Sequence, residues 1–400
     1  MNNASTIFKP LGYQCIKASV LLLASILLAG CGGGGGGGGG GGNNSTGTAP
    51  GTTVPNRDTD TTPDVPTIPA NTRPVATGSC STVNQENQTP GLVGNLEATD
   101  EETPTMLSYS LLNPDGSDAG LNLTTANGGT VTITDPTTGS FTYQADTRPG
   151  NKRGIDTFDY QVSDPEGATT RATETVIVSQ KIMPLGDSIT MGVDTTGGAL
   201  PFDKRIGYRL SLHEQLTSSN YMVDFVGSLE SGSMAVPRLD DDDHEGHSGW
   251  TAFDLAWGRV MNGSDGVFAW LEQNPTDFIL LHIGTNDLDN ASNDVASILD
   301  EIDRWEKNSA NGNPVTVVIA RIIDWAPINP DVNRVNNSVE KMVSRRTNDN
   351  IIIVDQQTGA GLNYTVGGDM SDQVHPNSSG YDKMADVWFS GLSPLLDKCP

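Results

Sequence analysis

The sequence predicts a two-part fold: an all-β sandwich over residues 80–179, then an α/β domain over residues 180–400 whose parallel sheet carries helices on both faces. In the first part, short runs of alternating apolar and polar residues are separated by turn clusters rich in Asp, Pro and Gly, the pattern of half-buried antiparallel strands. In the second part, continuous apolar runs alternate with helix-compatible stretches, the pattern of strands buried on both faces. Ahead of both, residues 31–79 contain an unbroken glycine run and then a Thr/Pro-rich stretch, which cannot bury a core.

The first 30 residues read as an export signal. Lys9 and Lys17 supply positive charge, and Ala18–Leu28 is apolar but short for a bilayer span. The segment ends in Leu28-Ala29-Gly30-Cys31, which resembles the bacterial lipobox. That resemblance implies cleavage before Cys31, its lipidation, and a membrane partner reached through the lipid anchor. Several acyl chains hold far more firmly than one. Gly32, in place of Asp, then directs sorting to the outer membrane, for a cell-surface lipoprotein or one secreted after release. Gly32–Gly42 is a flexible tether, and the Thr/Pro-rich stretch behind it a stiffer spacer.

The formal net charge of −26 excludes nucleic acid as a partner and disfavours anionic surfaces. Of the four cysteines, Cys15 leaves with the signal and Cys31 is lipidated. Cys80 and Cys399 remain at the two ends of the folded region, and the oxidising compartment favours one disulfide between them.

Five or more strands are expected in the sandwich, among them MLSYSLL, TVTIT, SFTYQA, DTFDYQV and TETVIV, with turns at NPDG, DPTTG and DPEG. GSFTYQA (Gly139–Ala145) and DTFDYQVSDPEGA (Asp156–Ala168) resemble the cadherin-like, immunoglobulin-like repeats of bacterial surface proteins. Structural calcium would be held by Asp100, Glu101 and Glu102; as a solvated acidic turn the same residues need no ion. This module reads as a spacer or a binding module.

In the α/β part the expected strands lie within KIMPLG, MVDFVGS, DFILLHIG, VTVVIAR and NIIIVD. The expected helices are Ile206–Thr217, Asp294–Asn308, Asn333–Arg346 and Ser379–Leu396. Functional residues of such sheets gather at the carboxyl ends of the strands. Four clusters stand there: GDSIT with Ser188, VGS with Gly227, GTND with Asn286, and DQVHPN with Asp372 and His375. Ser, His and Asp are the parts of a nucleophilic triad, in which His takes the serine proton and Asp fixes the imidazole tautomer. A glycine N–H and an Asn amide are suitable oxyanion donors.

The order GDS, Gly, GTND, DxxH resembles the SGNH (GDSL) hydrolases, a flavodoxin-like α/β family. The resemblance implies Ser188 as nucleophile, His375 as general base and Asp372 as its orienting carboxylate. It also implies an oxyanion hole formed by the Ser188 and Gly227 N–H groups and the Asn286 amide. Asp187 and Asp287 read as structural neighbours. IMPLGDSIT, VDFVGS, DHEGHSGWT, LLHIGTNDL and VHPNSSGYDKMA further resemble carbohydrate esterase family three, the acetyl xylan esterases and relatives. The expected partner is then an acetylated polysaccharide or a short-chain ester, with no cofactor required for catalysis.

The loop after Val193, the acidic run Arg238–Asp243 and Trp325 depart from the family pattern, so substrate specificity is less defined than chemistry. His244 and His247 admit two readings, a metal site or a pocket wall in which Trp250 stacks on a sugar or closes the core. Zinc catalysis wants three ligands, and no metal site is assigned. His247, Trp250 and Trp325 are the expected substrate contacts. A short-chain lipase, thioesterase or lysophospholipase would use the same triad, and a surface glycan-binding adhesin with an accessory esterase domain remains a third reading.

Overall fold

The computed structural model describes residues 70–84, 91–147, 153–259, 263 and 265–400. The export signal, the lipidation of Cys31 and the linker up to residue 69 lie outside the described residues. The expected linker ended at residue 79, but Val75–Thr77 already forms a strand paired with Glu97–Thr99, so ordered chain begins before Cys80.

The five named runs all form strands: Ser108–Leu112, Thr130–Asp135, Ser140–Gln144, Gly154–Ser163 and Thr169–Val178. They are shared between a five-stranded and a four-stranded sheet. Phe158, Tyr160 and Val162 alternate inward from one sheet and meet Val131, Phe141 and Tyr143 from the other. The turn chemistry is as the residues dictate. In DPEG, the Asp164 carboxylate accepts the Ala168 N–H at 2.8 Å, while Gly167 takes φ +92. In the acidic turn, Asp100 Oδ1 accepts the N–H groups of Glu102 and Thr103 at 3.1 and 2.6 Å, an Asx turn closed on itself.

The second part is a seven-stranded sheet, parallel except for the two-residue edge strand Leu229–Glu230. Gln180–Gly186 lies at its centre. Val223–Phe225 and Asp243–Gly246 pair along one side of it, and Phe278–His282, Thr316–Arg321 and Ile351–Asp355 follow in order on the other. The order therefore reverses at the central strand, which makes the crevice beside it the switch point of the sheet.

Alternation of side chains across the strands separates two cores. Met183, Leu185, Ile279 and Leu281 face the helices Ala291–Asn308 and Pro330–Val343 around the fully buried Trp305. Ile182, Phe278 and Leu280 face Arg209–Ser218 and Ser378–Leu392 around the fully buried Trp388.

Of the elements that the sequence reading did not place, three bear most on the site. Ala252–Trp257 and Val267–Gln273 are helices too short to show a clear period. Asp243–Gly246, read as a loop bearing a pocket wall, is a strand of the main sheet. Its polar sequence hides a central position, because its side chains are satisfied by specific partners rather than by apolar contact.

The two parts meet at the amino ends of the central strands, away from the carboxyl ends. Ser179 alone separates Thr169–Val178 from Gln180–Gly186. Arg153 pairs with Asp277 at 3.0 Å, and Asp277 also accepts the Lys181 N–H at 2.7 Å. Cys80 and Cys399 form a disulfide that closes a separation of 319 residues.

Candidate active site

The central strand exits at Gly186, where a Cβ would overlap the His282 carbonyl oxygen of the neighbouring strand and the Thr190 hydroxyl. Only glycine lets the chain turn that close to its neighbour. Asp187 then caps the short helix Ser188–Met191, its Oδ1 accepting the Ile189 N–H at 2.9 Å. Ser188 is thereby the first helical residue, at the switch point of the sheet.

His375 Nε2 lies 2.9 Å from Ser188 Oγ, across 187 residues of sequence. On the other side of the ring, Nδ1 lies 2.9 Å from Asp372 Oδ2. Nδ1 therefore carries the proton that Asp372 accepts, which leaves Nε2 able to receive one from the serine. Asp372 is itself held: its Oδ1 accepts the N–H groups of Val374 and His375, each at 2.8 Å, and its Oδ2 accepts the Thr195 hydroxyl at 3.1 Å. Partial burial raises its pKa, but the backbone N–H groups and the imidazole outweigh that and hold the carboxyl below the usual range.

Asp187 is wholly buried, and burial pushes its pKa up to about 6, against the Ile189 N–H, the nearby Thr285 hydroxyl and the His375 imidazole, which lower it. Its folded pKa is raised, so the stability carried by the protonated form is complete below 3.8 and is lost as pH rises through about 6. Asp187→Asn keeps the cap acceptor without the charge. Its Tm relative to the parent should rise between pH 4 and 7, by the equivalent of at most about 3 kcal/mol. A Tm difference that stays flat across that range in calorimetry would refute this assignment.

Gly227 follows the strand Val223–Phe225, and a Cβ there would run into the His244 backbone. Asn286 lies in the loop after Phe278–His282 and donates its Nδ2 to the Trp250 carbonyl at 2.8 Å. An amide nitrogen has two hydrogens, so this bond orients the group and leaves one hydrogen to donate.

The side chains of His244, Glu245, His247 and Trp250 in the block HEGHSGW are held by neighbouring groups of the fold. Trp250 is buried and packs in the core, which corrects its expected role as a substrate contact. The His247 ring is stacked between Trp250 and Trp270, with centroids 4.3 and 4.6 Å away. His244 is fully buried, its Nδ1 accepting the Gly246 N–H and its Nε2 2.8 Å from Ser231 Oγ, while burial drives its pKa far down. The two imidazoles therefore do not converge, and among the described residues no group of three or more His, Cys, Asp or Glu is placed to hold a metal ion. Trp325 is half-buried near the carboxyl end of Thr316–Arg321.

Sequence reasoning missed Thr195, Arg209 and Glu245. Arg209 is fully buried, and its guanidinium donates to the Thr190 and Met191 carbonyls at 3.3 Å each and to Ser231 Oγ at 2.8 Å. It ties down the end of the helix that carries Ser188. A charged residue among Tyr208, Leu210 and Leu212 was the available signal. Thr195 left none.

A flavodoxin-ordered α/β sheet with a Ser–His–Asp chain at its switch point defines a serine-type hydrolase. Residues 182–388 match the GDSL-like Lipase/Acylhydrolase family, and the chain belongs to that family. Residues 71–178 match the bacterial Ig domain. The chain is 30% identical over 241 residues to a multidomain esterase of Ruminococcus flavefaciens, covering 54% of this chain and 29% of that protein. It thus spans less than a third of that relative's length. Among solved structures, a family 3 carbohydrate esterase of Clostridium thermocellum is 28% identical, with 54% of this chain and 96% of that chain covered at a TM-score of 0.44. A carbohydrate esterase family 3 structure from Talaromyces cellulolyticus is 27% identical, with 54% and 97% covered at a TM-score of 0.43.

Proposed function

We propose that the chain is a carboxylic ester hydrolase that removes O-acetyl groups from a polysaccharide such as xylan through an acyl-enzyme. The observation that supports this most is the unbroken hydrogen-bonded chain from Ser188 Oγ through His375 to Asp372. Ser188 Oγ attacks the acyl carbon while His375 Nε2 takes its proton. The negative oxygen is met by the Ser188 and Gly227 N–H groups and the Asn286 amide. Collapse expels the sugar alkoxide, which takes the proton from Nε2 and leaves Ser188 acylated. Water then enters, gives a proton to Nε2 and repeats the sequence, releasing acetate and free Ser188. Side chains carry every proton, so no cofactor is needed.

The net charge of −26 favours a neutral acetylated glycan over an anionic phospholipid or an acyl-CoA thioester. The sequence LAGC at Leu28–Cys31 supports a lipid-anchored enzyme at the bacterial outer membrane or cell surface. Acetate release should be measured over a panel of acetylated glycans and over p-nitrophenyl esters of rising chain length. The expected profile peaks at acetyl and collapses beyond butyryl. A peak at octanoyl, with no acetate from any glycan, would overturn it in favour of a lipase on the same triad.

Asn286 gives a sharper kinetic test. An oxyanion donor bonds strongly only once charge has developed, so Asn286→Ala should cut kcat about a hundredfold or more, near 3 kcal/mol, with little change in KM. Asn286→Asp should be no better, because a carboxylate repels both the oxyanion and the Trp250 carbonyl that now receives Nδ2. A stable Asn286→Asp enzyme with near-normal kcat would remove Asn286 from the site.

A further inference from the structure

We infer that Glu245 is a positioning residue for the oxyanion hole, holding the loop that presents the Gly227 N–H. The inference rests on the esterase reading above. Glu245 is fully buried in the strand Asp243–Gly246, in register beside Leu185 of the central strand. Its Oε1 accepts the Ser228 N–H, and its Oε2 lies 2.8 Å from His247 Nε2. Among the described residues no Lys or Arg pairs with it, and its side-chain partner is this imidazole. A carboxylate kept in such a place requires specific partners, because an unpaired one is costly.

Those partners define Gly227. The preceding amide, Val226 N–H, is held by the Ile182 carbonyl of the central strand at 2.9 Å, and the following one, Ser228 N–H, is held by Glu245. Gly227 is thus bracketed by two anchored peptide groups. A glycine in a loop is otherwise the residue with the widest choice of backbone conformations, so its N–H needs an external constraint to keep one direction.

The same block fixes the second donor. His247, bound to Glu245, is sandwiched between Trp250 and Trp270, and Trp250 carries the carbonyl that orients Asn286. Arg259 closes the stack over Trp250 at 5.0 Å and donates to the Gly249 carbonyl at 2.7 Å. The seven residues His244–Trp250 therefore support both the Gly227 and the Asn286 arms of the hole, which gives the HEGHSGW signature a physical task without substrate contact.

Oxyanion donors act only if they are preorganised, and a displacement of about 1 Å can cost about a hundredfold in rate. In the full chain, Glu245→Ala should lower kcat on p-nitrophenyl acetate by about 30- to 100-fold with KM within about twofold, well below its Tm. Glu245→Gln should recover to within about fivefold of the parent, since its carbonyl still accepts the Ser228 N–H while His247 adopts the other tautomer. The rate of inactivation by a p-nitrophenyl phosphonate, whose adduct places an anionic oxygen in the hole, should fall with kcat in Glu245→Ala. Should Glu245→Ala fail to fold, Glu245→Met fills the same volume without an acceptor and takes its place. A folded Ala or Met variant with kcat within about threefold of the parent overturns the inference, as does a Gln variant as slow as Ala. Those results leave the esterase reading standing, provided the parent is active and Ser188→Ala is not. A parent inert on every ester removes both.

Discussion

Ser188→Ala is expected to reduce kcat on p-nitrophenyl acetate by about 10⁶-fold, to a residue of activity due to binding and the oxyanion donors. Among the described residues its hydroxyl is the group bonded to His375 Nε2, and it can form a covalent acyl intermediate. The exchange removes one oxygen from a position 5% exposed, so the variant should fold with a Tm within a few degrees of the parent. The stable Ala variant should therefore show no pre-steady-state burst and no acylated protein by mass spectrometry. Adding His375→Ala to it should cost almost nothing more, because the two residues act as one unit. An Ala variant retaining a tenth of the parental kcat would mean that another group is the nucleophile.

Asp372→Asn is the second large effect, about 10⁴-fold in kcat, and its cause is a tautomer. Oδ1 of the new side chain can still accept the Val374 and His375 N–H groups, so the loop should keep its shape. The new NH₂ group then faces His375 Nδ1, where Oδ2 stood at 2.9 Å. Nδ1 must become the acceptor, the proton moves to Nε2, and Nε2 can no longer take one from Ser188. KM should change little. The Thr195 hydroxyl loses a carboxylate acceptor in the same step, which adds a small stability cost. A folded Asp372→Asn enzyme with kcat near the parent would show that a different carboxylate orients the base. Asp187 would then be a candidate, as it interacts electrostatically with His375.

Much of this was legible in the chain itself. Turn residues such as Asp164 and Gly167 act on neighbours within four positions, so DPEG states its own geometry. Ile182, Leu280 and Val318 lie in uninterrupted apolar runs because parallel strands are covered on both faces. Ser188, Gly227 and Asn286 stand within a few residues of the carboxyl ends of their strands, whereas His375 lies twenty residues beyond Asp355 and is brought to Ser188 by the loop before Ser378–Leu392. The helix expected at Ser379–Leu396 spans Ser378–Leu392, and its end gives way to a short 3₁₀ turn.

What the sequence determined alone was local: where strands and turns begin, which residues can do acyl-transfer chemistry, and that His375 follows its carboxylate by three positions. Tertiary structure alone decided everything that depends on a partner distant in sequence. It made Asp243–Gly246 a strand through pairing with Leu185 and Gly186, sent Trp250 into the core through its stack with His247 and Trp270, and gave Glu245 the Ser228 N–H. The reason is physical: a buried polar side chain is stable only where a complementary group meets it, and which group does so is set by packing across the sheet.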